Sequence, residues 1–104
     1  MATITNLALE MPISQDATTS RPLMDLPGST KLVLFAMDQG QEISAHSAPF
    51  PAQVLLLAGS LEVTVAGERR ELQPGAQCPL PKGVPHGVRA LAPSHWLLTM
   101  LRGL

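Results

Sequence analysis

The chain lacks the features that would direct it to nucleic acid or to a membrane. Only seven of its 104 residues are Lys or Arg, and its formal net charge is -1. It therefore has no basic surface of the kind that binds a phosphate backbone. No apolar run approaches the roughly 20 residues that span a bilayer. We expect no nucleic-acid partner and no membrane segment.

The chain is also poor in cysteine. Cys78 is its single cysteine, so an internal disulfide of the kind found in secreted domains is excluded. The first residues show neither the positive start nor the apolar run and cleavage site that mark a secretion signal. These features predict a cytoplasmic protein.

Uninterrupted helical patterns are missing as well. Ten prolines and eight glycines break any helical period every few residues, which favours short strands joined by turns. The hydrophobic content of 45% in 104 residues is enough for one buried core but not for two. The sequence therefore predicts a single all-β domain.

From Lys31 onward, turn signals recur at short intervals and delimit eight strand-length segments. The predicted strands are Lys31–Met37, Gln41–Ala45, Gln53–Leu57, Leu61–Val65, Glu68–Leu72, Gln77–Leu80, His86–Ala90 and Trp96–Leu101. Short strands at this spacing are typical of a β-sandwich or small barrel. Residues 1–30, rich in proline and polar residues, are predicted to form an N-terminal segment with one or two edge strands, ahead of a barrel domain at residues 31–104.

One pair of these strands has a clear hairpin pattern. Leu61, Val63 and Val65 alternate with polar residues, which predicts that these three side chains face the core. The dipeptide Ala66-Gly67 follows them and is a two-residue turn signal. We expect the chain to reverse there and to pair with the next, polar strand.

The strand Gln53–Leu57 is apolar on both faces. This pattern predicts a core on one side and a second layer or subunit on the other, and so favours a homodimer. Ala52 alternates with Val54 and Leu56, whereas Gln53 alternates with Leu55. The pattern alone leaves open which of the two sets faces the interior.

Two segments carry residues at the spacing of a known family. The stretch Gly40–Gly59, with a histidine six residues after its first glycine, resembles the first cupin motif. The stretch Gly75–His86, with Pro-Lys-Gly starting six residues after its glycine, resembles the second. Over about Phe35 to Met100, the chain is similar to small single-domain bacterial cupins of the type-2 conserved-barrel group. The resemblance implies a jelly-roll β-barrel or sandwich with one pocket.

The resemblance also implies a degenerate metal-binding motif. The family's first motif normally carries two histidines two residues apart, followed by an acidic or glutamine ligand. Here only His46 is present, Ala48 stands at the second histidine position, and the next ligand position falls at Ala52 or Gln53. His86 comes from the second motif. His46 and His86 are thus the two candidate metal ligands.

The residues predicted to line the pocket are His46, Gln53, Cys78 and His86. In a cupin, the two histidines would lie on adjacent inward-facing strands and converge. Cys78 shares strand parity with Leu80, so both face the barrel interior if either does. The thiol then offers a soft third ligand or a nucleophile, although a lone buried cysteine more often acts as a small hydrophobe.

Three functions fit these residues, and the sequence leaves open whether the protein is an enzyme. The first is a binder of a small-molecule ligand in an apolar pocket, without a full metal site or another cofactor. The second is a metal-dependent dioxygenase or isomerase, in which His46, His86 and either Gln53 or Cys78 hold a divalent transition metal such as Zn, Fe, Ni, Mn or Cu. The third is a metal-free acid–base enzyme, with Glu42 on the face of His46 by strand parity.

The other chemistry-bearing side chains have simpler interpretations. His95 lies in a turn region, where we expect a surface or rim histidine. Arg89 is an odd number of positions from His86 and so should face solvent on the opposite side of its strand. Trp96 and Leu98 share one face of the last strand, where core packing explains them.

Overall fold

The computed structural model describes residues 6–7 and 11–104 and shows nine strands in two antiparallel sheets. The strands are β1 (Thr18–Asp25), β2 (Thr30–Met37), β3 (Glu42–His46), β4 (Ala52–Ala58), β5 (Leu61–Val65), β6 (Glu68–Leu72), β7 (Gln77–Leu80), β8 (His86–Ala90) and β9 (Ser94–Leu101). The strand order is β1-β2-β9-β4-β7 in one sheet and β3-β8-β5-β6 in the other. This architecture confirms the predicted all-β jelly-roll class. Within the described residues, no helix is long and apolar enough to cross a membrane.

Strands β5 and β6 form the predicted hairpin. Val65 pairs with Glu68 across the turn, and φ is positive at both turn residues, 52° at Ala66 and 80° at Gly67. Positive φ at both central positions defines a type I′ turn, whose twist matches that of the flanking strands. The turn fixes the register that buries Leu61 and Val63, as their alternation predicts.

The core lies between the two sheets and consists of side chains that alternate along their strands. Its buried members are Met37, Val54, Leu56, Leu61, Val63, Val65, Leu72, Cys78, Leu80, Val88, Ala90 and Trp96. In β4, Val54 and Leu56 are fully buried and Ala52 packs against the same cluster. Gln53 and Leu55 therefore lie on the outer face of the five-stranded sheet.

A stacked aromatic pair stiffens the inner face of this sheet. The rings of Phe35 in β2 and Trp96 in β9 are 4.2 Å apart between centroids and only 6° from parallel. The indole Nε1 of Trp96 donates a hydrogen bond to Met37 Sδ at 3.1 Å. Because a buried indole N–H needs an acceptor, this contact fixes the orientation of Trp96.

Two turns at one end of the sandwich are in direct contact. Gly59, between β4 and β5, has a φ of 98°. Ser94 Oγ accepts a hydrogen bond from the backbone N–H of Ser60 at 3.1 Å and lies 2.7 Å from the carbonyl oxygen of Ala92. A Cβ atom on Gly59 would collide with Ser94 Oγ and with the carbonyl oxygen of Pro93. Only a residue without a side chain fits between these turns.

The expectation of a surface or rim position for His95 is wrong. The His95 side chain is buried, with 9% of its surface exposed. Its Nε2 donates a hydrogen bond to the carbonyl oxygen of Met11 at 2.6 Å. Leu34 and Ala36, on the same outer face of the sheet, are also fully buried. The segment that precedes β1 thus covers part of a face that local sequence alone would leave in solvent.

Strand β1 is an edge strand of the five-stranded sheet and pairs with β2 along its length. The register shifts just after Pro22, which fits a residue that cannot donate a backbone hydrogen bond. Arg102 closes the far end, since its guanidinium contacts the carboxylate of Asp25 at 2.5 Å and the carbonyl oxygen of Ser29 at 2.9 Å. Arg102 therefore anchors the C-terminal end of this edge strand.

Candidate functional site

Adjacent strands β3 and β8 bring the two predicted histidines together. His46 and His86 are directly paired across the ladder. Their ring centroids are 4.6 Å apart and the rings meet edge to face at 64°. His46 is exposed at the rim, whereas His86 is 8% exposed and lies deeper. The expected convergence of the two imidazoles is what the structure shows.

A β-bulge in β3 decides which of its side chains face inward. Ile43 pairs with Val88, and His46 pairs with His86. Between these two pairs, β3 contains two residues and β8 contains one. A bulge of this kind breaks the simple alternation of faces. As a result, Ile43 and His46 both line the interior although they are three residues apart.

The same bulge overturns the parity argument for Glu42. Glu42 lies opposite Arg89 in the ladder, and its Oε1 is 3.7 Å from Arg89 Nε in an exposed ion pair. It is therefore on the outer face and not beside His46. Arg89 faces solvent, as its separation from His86 predicts. The carboxylate partner that an acid–base pair would need is absent from the cavity wall that the described residues form.

The two histidines border a cavity of about 190 Å³ between the sheets. Its lining is otherwise apolar and comprises Phe35, Ile43, His46, Leu80, His86, Val88, Trp96 and Leu98. Sequence reasoning assigned Trp96 and Leu98 to core packing and did not single out Phe35, Ile43 or Val88. For Phe35 a signal existed, because it alternates with Val33 and Met37 along an apolar strand.

Backbone carbonyls determine the protonation pattern of both imidazoles. His46 Nδ1 lies 2.9 Å from the carbonyl oxygen of Ser44, and His86 Nδ1 lies 3.3 Å from that of Val84. A carbonyl oxygen only accepts hydrogen bonds, so these contacts assign the proton of each neutral ring to Nδ1. Each Nε2 then carries a lone pair. It has no hydrogen-bond partner among the described residues.

The surroundings of His86 favour its neutral form. Burial lowers the pKa of His86 below its ordinary value, and the charge of the adjacent His46 lowers this pKa further. The hydrogen bond to Val84 opposes both effects and is the smallest of the three. His86 therefore acts at neutral pH as a hydrogen-bond acceptor through Nε2.

The structure separates Cys78 from the histidines. As its parity with Leu80 predicts, Cys78 faces the barrel interior, where it is 3% exposed within the core. Burial raises the pKa of the Cys78 thiol, and the charge of Arg70 opposes this with a smaller effect. Since the thiolate is the reactive form, burial disfavours reaction at this side chain, which packs in the core as a small hydrophobe does.

Gln53 is also separated from the histidines. Its side-chain amide donates a hydrogen bond to Gln77 Oε1 on the outer face of the five-stranded sheet. Ala52, the alternative residue at this motif position, points inward against the core. Of the four predicted pocket residues, the structure thus brings together His46 and His86 and places Gln53 and Cys78 elsewhere.

The residues at this site do not fit a closed metal centre. Catalytic zinc sites typically use three protein ligands and structural sites use four. Within residues 6–7 and 11–104, no group of three or more His, Cys, Asp or Glu side chains is arranged to hold an ion. His46 and His86 offer two nitrogens, each backed by a carbonyl as metal-bound imidazoles usually are. Among the described residues, these two histidines are fewer protein ligands than either kind of zinc site typically uses.

Comparison with known proteins connects this geometry to a family. The family model described as "Cupin domain" matches residues 33–100. A conserved protein of unknown function from Streptococcus pyogenes has a similar structure, with a TM-score of 0.91 and 32% identity over 98% of this chain and 89% of that chain. No curated protein matches the sequence.

Two further solved structures share the architecture. A cupin 2 conserved barrel domain protein from Leptotrichia buccalis has a TM-score of 0.88 and 26% identity, over 93% of this chain and 47% of that chain. An RmlC-like cupin from Desulfovibrio desulfuricans has a TM-score of 0.84 and 24% identity, over 98% of both chains. At that identity the second likeness concerns the fold alone.

Proposed function

Because the chain belongs to the cupin domain family, we propose that it binds a small organic molecule in the cavity beside His46 and His86. The observation that carries this proposal is the composition of the cavity wall, which combines six apolar side chains with two converging imidazoles. Binding sites for small molecules are typically apolar with a few placed polar groups. The two Nε2 atoms are such groups.

A cavity-filling variant tests this proposal. Leu98→Phe adds volume to the cavity wall, whereas Leu98→Met conserves volume and is the matched control. A library of small organic molecules is screened by thermal unfolding against all three proteins. At about ten times its Kd, a cavity ligand should stabilise wild type and Leu98→Met by about 1.4 kcal/mol, which raises Tm by roughly 5 °C or more.

The same ligand should leave the Tm of Leu98→Phe unchanged. Compounds that stabilise all three proteins equally bind outside the cavity and contradict the proposal. A library without any compound that stabilises wild type contradicts it as well.

A metal-dependent enzyme of dioxygenase or isomerase type is the second candidate. It is favoured by the carbonyl contacts of His46 and His86, which leave both Nε2 atoms free to ligate. Elemental analysis of untagged protein, beside the double variant His46→Ala, His86→Ala, decides between the two. About one transition metal per chain that is lost in the variant would favour the enzyme, and a metal-free protein that binds library compounds would favour the binder.

We further propose that two copies associate through the outer face of the five-stranded sheet. Leu55 lies there between Gln77 and Leu97, and Leu32 is on the same face of β2. These apolar side chains are only partly buried in the single chain. In a two-fold symmetric dimer both subunits contribute the same surface patch. An uncharged apolar patch can pack against its own copy without repulsion between like charges.

Sedimentation at micromolar concentration tests this association. Wild type should sediment with twice the chain mass of 11.0 kDa. Leu55→Arg places a charge in the patch and should give a monomer. Thr64→Arg, on the outer face of the other sheet, is the control that should stay dimeric. A wild-type monomer, or a dimer unaffected by Leu55→Arg, would contradict this interface.

A further inference from the structure

The size of the cavity limits what it can hold. An apolar protein cavity of about 150 Å³ accommodates one benzene molecule, and the cavity beside the histidines measures about 190 Å³. One six-membered ring with a single small substituent therefore fills it. The stacked rings of Phe35 and Trp96 both line the cavity, so a flat aromatic ligand gains aromatic contacts there that a branched chain does not.

The charge of the wall limits the ligand further. None of the eight lining residues is Lys, Arg, Asp or Glu. A carboxylate or phosphate would lose its hydration without meeting a cation, which is costly in an apolar site. The described wall thus favours an uncharged ligand.

The direction of hydrogen bonding supplies the third limit. Since Ser44 and Val84 carbonyls hold the Nδ1 protons, the side chains of the eight described lining residues offer lone pairs at Nε2 and no polar hydrogen besides the Trp96 N–H. That hydrogen already bonds to Met37. A ligand that only accepts hydrogen bonds therefore finds no donor, whereas a hydroxyl on the ligand finds an acceptor at His86.

We propose that the cavity selects an uncharged six-membered ring bearing one hydroxyl, a ligand of the phenol class, whose O–H donates to His86 Nε2. This inference rests on the proposed function, because it names the ligand class of the same cavity. His86 is the acceptor because it lies deeper than the exposed His46. The hydrogen bond is therefore formed away from competing water.

Trp96 allows a direct test. It is the only tryptophan in the chain and lines the cavity, so its fluorescence, excited at its red edge, reports occupancy. Phenol, toluene and benzoate are titrated at pH 8 into wild type and into His86→Phe, which keeps a ring but removes the acceptor. We expect phenol to bind wild type about fivefold more tightly than toluene, the factor that one net hydrogen bond provides.

The same titrations should show benzoate binding more weakly than phenol, and His86→Phe should bind phenol and toluene alike. Equal affinity of wild type for phenol and toluene, or a preference for benzoate, overturns the inference but leaves the proposed function standing. If phenol, toluene and benzoate all fail to bind and no compound of the library stabilises wild type, both this inference and the proposed function are overturned. The ratio of the phenol and toluene affinities of wild type tests the inference even if His86→Phe does not fold.

Discussion

Replacing Gly59 by alanine is expected to destabilise the protein by at least about 3 kcal/mol, a large part of the 5–15 kcal/mol that typically holds a domain together. The added Cβ would collide with Ser94 Oγ and the carbonyl oxygen of Pro93, and would lie 2.7 Å from Ser94 Cα. Two of these three atoms belong to the backbone, which cannot move aside as a flexible side chain can. Urea unfolding followed by circular dichroism measures the loss.

The matched control is Gly75→Ala. Gly75 has a φ of 93°, close to the 98° of Gly59, but a Cβ there meets no heavy atom within 4 Å. Gly75→Ala should therefore lower the free energy of unfolding only by the strain of the left-handed backbone conformation, about 1–2 kcal/mol. Equal losses in the two variants would show that conformation alone decides the stability at Gly59 and that the contact with the turn before β9 is unimportant.

Leu56→Ala is expected to cost about 2–5 kcal/mol, the range for deleting a fully buried leucine side chain. Leu56 is 0% exposed and belongs to the core cluster between the sheets. The neighbouring Leu55 is on the opposite face of β4 and is the natural comparison, since Leu55→Ala should cost only about 1 kcal/mol or less. Urea unfolding of both variants measures the difference between their losses of stability.

Association through the outer face would complicate this comparison, because Leu55 is part of the proposed dimer patch. The midpoints are therefore measured at two protein concentrations, since a contribution from association makes the midpoint depend on concentration. A larger loss for Leu55→Ala than for Leu56→Ala at the lower concentration would mean that the facing of β4 is the reverse of that described.

Turn chemistry made most of the strand boundaries predictable. The predicted bounds Glu68–Leu72, Gln77–Leu80 and His86–Ala90 are those of β6, β7 and β8. Each of these strands is bordered within a few residues by a glycine or a proline, and such residues restrict or permit backbone angles in ways that local sequence reveals. The convergence of the two histidines followed from the family resemblance, which aligned both motif strands.

Other parts of the site depend on contacts that local sequence does not contain. Alternation could not say whether Ala52 or Gln53 faces inward, because both faces of β4 are apolar. The bulge in β3 removed Glu42 from the face of His46, and no glycine marks it within the strand. His95 is buried through a carbonyl 84 residues away in the sequence. These three features are set by packing between distant segments.

The position of β9 has a consequence for how the protein forms during synthesis. This strand lies between β2 and β4, and its Ser94 pairs with Met37, far back in the chain. Translation adds about 5–20 residues per second, so β9 is synthesised several seconds after β2 and β4, the two strands that it joins. Their apolar faces are open to chaperones or to neighbouring nascent chains in that interval. Completion of the sheet is then the insertion of a late strand between two early ones, a non-local step that makes folding slow.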